Sequence, residues 1–428
     1  MKKISKYLLI MPFLLLLFAC GNKGNNTLTN RKTKSSQITS KDNSTTENNK
    51  TSSLPSKYTI TLDNQAEGVN IFGITSGSEY ECESRVTLRA TNIPSGLTIK
   101  WSRSDGKIKN GDTYTFIVPT YSITITVTTT KPYTKEGNKL FFGTYPQTEV
   151  KDNALINELN DFVGTLPTSE NKYSWSDYNY YYDGSISSFM FYKDIDYDND
   201  GSYDYRGVYF TQYRPGYSSE GSPISPYQNR NGYKTNTIYW FSYDPIEWDI
   251  LEEKSGKALI IANLILDSQE YCPADEFKNE TFEHNGKNGY ANNYELSNIR
   301  KWLNYNFYNT AFNELQKTLI DITMVNNNSY STGEDSNSYA CSNTSDKMFL
   351  LSYREAKNYY ISESDRQAKG TDYAKSQGLI DIDGYWWLRS PISTFPYTAY
   401  YVSGEGKLNG NSVSLTIYGV RPALWILL

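Results

Sequence analysis

The sequence predicts an α+β domain preceded by a small all-β module. Three observations carry that reading. Across residues 57–130, short segments alternate apolar and polar side chains as half-buried strands do. Further on, the alternating "PIEWDIL" leads through "EEKSGK" into "ALIIANLIL", a continuously apolar run suited to a strand buried on both faces. Beyond it, "ELSNIRKWLNYNF" places Leu296, Ile299 and Leu303 at helical spacing.

The first element is a leader. Lys2, Lys3 and Lys6 form a basic start, and residues 7–18 are an apolar run of about twelve, short of the roughly 20 a spanning helix needs. This pattern reads as a secretory signal over residues 1–19. The following "LFAC" resembles the lipobox of bacterial lipoproteins. That resemblance implies cleavage before Cys20, a diacylglyceryl thioether on its sulfur, and the membrane as a partner through the lipid. The chain is then expected on the extracytoplasmic face of the cell membrane. An ordinary leader with a chance cysteine is the alternative. Residues 20–56 are rich in Asn, Ser, Thr and Lys and poor in core-forming side chains, so they read as a disordered tether.

Charge and cysteine usage narrow the function classes. The formal net charge is −5, with no basic run after the tether, which gives no footprint for nucleic acid. The single histidine, His284, excludes a multi-histidine zinc site. Apart from Cys20 there are only Cys82, Cys272 and Cys341, so at most one disulfide closes; Cys272 with Cys341 is the pair within one expected domain. Tyrosine is abundant, 39 residues against 17 phenylalanines, which fits either a binding surface or an AT-rich coding bias.

The all-β module spans 57–130. Its expected inward residues are Tyr58, Ile60 and Leu62; Val86, Leu88 and Ala90; Leu97, Ile99 and Trp101; Tyr114, Phe116 and Val118; and Ile123, Ile125 and Val127. Turn-rich stretches such as "NIPSG" and "SDGKIKNGD" separate about five strands. The order "YTITL", "VTLRAT", a tryptophan strand, "YTF" and "TITVTT" resembles the bacterial surface repeat related to the internalin B-repeat. That resemblance implies a spacer or adhesion role.

The larger domain spans 139–428. The segments "FFGTYPQTEV", "DPIEWDIL", "KALIIANLILDSQEY", "NIRKWLN", "DKMFLLSYREA", "TDYAKSQG", "WWLRSP" and "YGVRPALWI" follow in this order. Together they resemble the uncharacterised domain-of-unknown-function 6273 family of secreted and surface proteins in Gram-positive bacteria. That family brings no established activity or catalytic residues. The layout also resembles the C-type-lectin-like fold of formylglycine-generating enzymes. Those enzymes rely on a late cysteine pair, and this sequence has no cysteine after Cys341.

Within this domain Ile246, Trp248 and Ile250 should share one strand face, and "NTAFNELQKTLI" should continue the helical pattern with Phe312, Leu315 and Leu319. Ser352 with Glu355 three residues later forms a capping box, and "TDYAKSQG" should start on Thr371 or Asp372 and stop at Gly378. The final segment, from "TAYYV" onward, reads as two or three strands joined by glycine turns.

Two sites are singled out. In "YWWLRSP" a strand would send Trp386, Leu388 and Ser390 one way, and Trp387 and Arg389 the other. Arg389 and Arg421 read as core arginines flanked by tryptophan, with Glu247 or Asp249 as carboxylate partners. The competing reading is a ligand platform built on Trp387 or Tyr400. The second site is "DIDYDNDGSYDYRG", where Asp196, Asp198 and Asp200 alternate before Gly201 and Asp204 follows, as at the start of a calcium loop. Gly207 stands where an EF-hand has its bidentate glutamate, so either a simpler calcium loop or a solvated hairpin tip is expected.

No catalytic pair is marked. The functional expectation is non-catalytic recognition of a glycan or a surface protein. A carbohydrate-active enzyme and a structural envelope component are the alternatives.

Overall fold

The computed structural model describes residues 56–164, 175–177, 190–198, 201–214, 216–217, 223–224, 227–272, 281–284, 287–380 and 384–428. The leader, Cys20, nearly all of the tether, and Asp200 lie outside the described residues. The described chain is mostly sheet, with short helices.

Residues 57–130 form two sheets around a core of their own. Lys57–Asn64 pairs antiparallel with Ser78–Glu81 and parallel with Ile123–Thr130, which continues through Thr98–Arg103 to Ile108–Asn110. Arg85–Thr91 lies between Asn70–Phe72 and Thr113–Ile117 in the second sheet. Ile60, Val86, Leu88, Ala90, Ile99, Trp101, Tyr114, Phe116, Ile123, Ile125 and Val127 are buried between them, as alternation requires. There are eight strands, not about five. The additional three hold three or four residues each, too few for a period of two to register. Gly73, at φ +110°, is required: a Cβ there would collide with the Thr87 carbonyl.

Two long strands, Lys139–Glu149 and Ile238–Lys254, run antiparallel along their lengths. On the other edge of Ile238–Lys254, its first half pairs with Tyr205–Phe210 and its second half with Lys257–Ala262. The sheet then continues through Ala423–Leu427 to Ile320–Asp321. The apolar run is buried on both faces: Ala258, Ile260 and Ala262 join Ile246, Trp248 and Ile250 in one core, and Leu259 and Ile261 join Trp386 and Leu388 in another.

A second sheet orders Asp267–Ser268, Gly419–Val420, Trp386–Pro391, Thr398–Val402 and Leu408–Ser412. The chain from "TAYYV" onward therefore supplies four strands, one to the central sheet and three to this one, rather than two or three.

The helices start where their caps dictate. The Ser352 and Thr371 hydroxyls accept from Glu355 N and Ala374 N, and Gly378 ends the second helix at φ +109°. The segment after Leu303 departs from expectation. Asn298–Trp302 passes into a π-helical turn over Leu303–Phe307, and the chain leaves the helix at Phe312, which is extended. Asn313 then caps a single turn, Glu314–Lys317, before Ile320 joins the central sheet. Apolar spacing could not distinguish one helix from two pieces broken by a sheet residue.

Candidate functional site

All six residues of the Trp386–Pro391 strand are buried. Trp386 and Leu388 face one core and Trp387 the other. The Trp387 ring lies among Tyr271, Tyr401 and Tyr418, at centroid distances of 5.8, 6.4 and 4.8 Å, and its Nε1 donates to the Gln269 carbonyl at 3.0 Å. Trp387 is a core residue with no face for a ligand, which corrects its candidacy as a platform. The reason is long-range: the strand is covered on both sides.

The two arginines are fixed by different carboxylates. Arg421 donates from NH2 to Asp249 Oδ2 at 3.0 Å and from Nε to the Ala262 carbonyl at 2.6 Å, with its guanidinium 5.2 Å from the Trp386 ring. Asp249 was one of the two expected partners. Arg389 uses neither. It donates to Glu355 Oε1 at 2.8 Å, to Asn327 Oδ1 at 3.1 Å and to the Leu350 and Asn326 carbonyls. Glu247 instead pairs with Lys139 at 2.7 Å. A register shift between Trp387 and Pro391 breaks the simple alternation, and Arg389 N donates to the Leu351 carbonyl beside the Ser352 cap. The guanidinium lying over an indole is therefore Arg421 on Trp386, not Arg389 beside Trp387.

Tyr400 behaves differently from Trp387. It is half-buried, with its ring centroid 4.5 Å from that of Tyr353. Tyr353 N donates to Ser390 Oγ at 2.9 Å, and Gly333, at φ +86°, lets the chain pass against the Tyr353 ring where a Cβ would clash. Next to it, Arg354 holds its guanidinium 3.7 Å from the centre of the Tyr330 ring and donates from Nε to the Tyr330 carbonyl at 2.7 Å. Tyr330 is 60% exposed. Burial, then the charge of Glu334, pushes the Tyr400 hydroxyl up to about 12. Two aromatic pairs therefore lie on neighbouring residues of one helix: half-buried Tyr353 on Tyr400, and Arg354 on exposed Tyr330, with the Glu334 charge felt at Tyr400. Half-buried rings beside a guanidinium suit stacking against a sugar face. Sequence reasoning reached Tyr400 and missed the others; the capping box that positions Tyr353 was the available signal.

The described residues of the acidic stretch lie between the paired strands Met190–Ile195 and Tyr205–Phe210. Carboxylate oxygens of Asp196, Asp198 and Asp204 lie within 4.8 Å of one another, all three residues half-buried. Asp204 Oδ2 accepts from Tyr197 N and Asp198 N at 2.8 and 3.2 Å, and Asp196 Oδ2 from Gly201 N at 2.8 Å, where Gly201 has φ +90°. Burial pushes the Asp198 carboxyl up, the Lys109 charge opposes it, and Asp204 and Asp196 push it further. Arg85 NH1 donates to the Asp198 carbonyl at 3.2 Å. Three carboxylates supply part of the six to eight oxygens calcium takes. Gly207 sits in a strand opposite Trp240, where a Cβ would lie 2.7 Å from the indole, so the loop does not continue as an EF-hand.

A buried polar site accompanies these. Asp267 is fully enclosed and accepts from Tyr145 Oη at 2.7 Å, Ser268 N at 2.7 Å and Gln269 Nε2 at 3.1 Å. Burial pushes its carboxyl up to about 6. Cys272 and Cys341 are not joined to each other, and burial pushes the Cys341 thiol up to about 11. His284 ends a short strand, Phe282–His284, paired with Lys287–Gly289.

The fold and these sites describe a sheet-rich domain held by arginine–carboxylate pairs and carrying half-buried Tyr353 and Tyr400 near exposed Tyr330. Residues 255–428 match the family described as "Domain of unknown function (DUF6273)". The match begins at the turn after Lys254, so the two long strands that complete the same sheet precede it. No curated protein and no solved structure matches the chain.

Proposed function

We propose that this chain is lipid-anchored on the extracytoplasmic face of the cell membrane, and that its C-type-lectin-like domain recognises a glycan without catalysis. In this reading the lipid is on Cys20, residues 20–56 are a tether, and residues 57–130 are a surface-repeat spacer resembling the internalin B-repeat. Among the described residues no helix is long and apolar enough to cross a membrane, and anchoring is assigned to the lipid. The observation that carries the recognition role is the half-buried Tyr400–Tyr353 pair, with exposed Tyr330 under Arg354 on the neighbouring helix position. Calcium at Asp196, Asp198 and Asp204 belongs to the proposal as a support for the hairpin, because three carboxylate oxygens converge there.

The test uses the full chain in detergent on an array of glycans and cell-wall fragments, with calcium and then with chelator. Binding that Tyr400→Ala abolishes supports the reading. Loss of binding in chelator assigns the hairpin a calcium ion; unchanged binding makes it a turn held by its own hydrogen bonds. Cleavage of a fragment would move the domain to a carbohydrate-active enzyme, and binding only to a surface protein would replace the glycan. No ligand at all would leave a structural envelope component. Cys20→Ser should abolish incorporation of labelled palmitate.

A further inference from the structure

A second feature lies apart from the Tyr400 surface. A cleft of about 460 Å³ opens between the Asn298–Trp302 helix with its π-helical turn and the strand Thr344–Asp346. Arg300, Lys301 and Lys347 line it against one carboxylate among its lining residues, Asp346. That carboxylate is committed: it is buried, accepts from Arg300 Nε at 2.7 Å and NH2 at 2.6 Å, and from Thr344 Oγ1 at 2.6 Å. The Glu295 carbonyl holds the same guanidinium at 2.9 Å. The Lys347 ammonium stands 4.1 Å from the Tyr308 ring centre, a contact that orients the charge without cancelling it.

The remaining lining is Asn304, Ser345 and two open apolar side chains, Tyr305 and Ile322. Tyr305 is 71% exposed and Ile322 62% exposed. The π-helical turn presents Tyr305, and such turns are frequent at functional sites. It also brings Asn304 across the cleft floor. Asn304 Nδ2 donates to the Arg300 and Met348 carbonyls at 3.0 and 2.9 Å, and Oδ1 accepts from Lys347 N at 2.8 Å and Met348 N at 3.2 Å. Its bonds to Lys347 and Met348 tie the helical segment to the chain after Thr344–Asp346, while the bond to the Arg300 carbonyl stays within the helix, so the cleft is formed before any ligand arrives.

We infer that this cleft binds an anionic saccharide, one or two sugar units bearing a phosphate or a carboxylate. Lys347 takes the anion, Arg300 being held by Asp346 and the Glu295 carbonyl, while the Tyr305 ring and Ile322 take the apolar face of the sugar. The volume is that of a small-ligand site. This site is independent of Tyr400, so either can fail without the other.

The test uses the full chain in detergent and saturation-transfer NMR with four probes: the phosphate ester of glucose, glucuronate, neutral glucose and a polyglutamate peptide. Transfer to either charged sugar and not to glucose is expected; phosphate alone or carboxylate alone then identifies the anion. Lys347→Glu should weaken that binding about tenfold, the equivalent of 1.4 kcal/mol, and Tyr305→Ala should weaken it as well, while Tyr400→Ala leaves it unchanged. Near-UV circular dichroism verifies that each variant is folded. Equal transfer to neutral glucose, binding of the peptide alone, full binding by folded Lys347→Glu, or no transfer to any probe would overturn the inference.

Discussion

Glu355 holds Arg389 with the same carboxylate that caps its own helix. Glu355 Oε2 accepts from Ser352 N at 2.8 Å, and both its oxygens accept from the Arg389 guanidinium. The capping box and the buried ion pair therefore share one acid, and a strand from the second sheet is fastened to the helix start. Arg389 is 2% exposed, so the charge left behind if Glu355 is removed has little access to water.

Glu355→Ala should cost about 3–5 kcal/mol of stability, the range for stranding one member of a buried pair. Ser352→Ala, which removes the hydroxyl cap alone, should cost about 1 kcal/mol. Burial raises the Glu355 carboxyl, and the Arg389 charge together with the hydrogen bonds from Arg389 and Ser352 outweighs burial and brings it below its ordinary value. A carboxyl depressed in the folded state stabilises above its unfolded pKa, and the contribution is lost as pH falls through the folded value. Urea titrations of the three proteins at neutral and acid pH measure this; equal costs for the two variants would mean that the ion pair contributes nothing.

Asp267 has the opposite sign. Its folded pKa of about 6 exceeds the ordinary 3.8, so the folded state keeps a proton that the unfolded chain has released. Stability attributable to this group falls as pH rises from about 4 to about 6, by roughly 2–3 kcal/mol. Asp267→Asn keeps an acceptor for Ser268 N and Gln269 Nε2 and can donate to Tyr145 Oη, and it carries no charge to bury. The variant should therefore be the more stable protein above about pH 6. The informative quantity is the difference between the two stability profiles; parallel profiles would remove Asp267 from the account.

Trp387→Ala should act on folding and not on a surface. The indole is fully buried and its Nε1 is satisfied by Gln269, so truncation should cost about 3–5 kcal/mol. Chemical denaturation gives the number. A cost below about 1 kcal/mol would place the ring nearer solvent than this fold has it.

What was legible in the sequence was local. Alternation identified the buried residues of the long strands in residues 57–130, and "PIEWDIL" and "ALIIANLIL" gave a hairpin whose second strand is buried on both faces. The Ser352 and Thr371 caps declared themselves through residue type and spacing. What was not legible depends on distant chain. Glu355 looked fully employed as a cap, and Arg389 lies far along the sequence from it, so nothing local joined them. Trp387 and Tyr400 are both strand aromatics; which one reaches the surface is decided by how the second sheet packs. Tyr330, Tyr353 and Tyr400 come from three segments with no shared motif. Three-residue strands and the break at Phe312 escaped for a simpler reason: a period needs length to be seen.

The strand Ala423–Leu427 lies inside the central sheet, hydrogen-bonded to Lys257–Ala262 on one side and Ile320–Asp321 on the other. The segment that locks the sheet together thus leaves the ribosome well after the strand it covers. Until it arrives, the apolar Lys257–Ala262 strand presents an open edge. The growing chain must be shielded from pairing with its neighbours through that interval, and a nascent chain stalled short of Ala423 would be a substrate for chaperones and proteases.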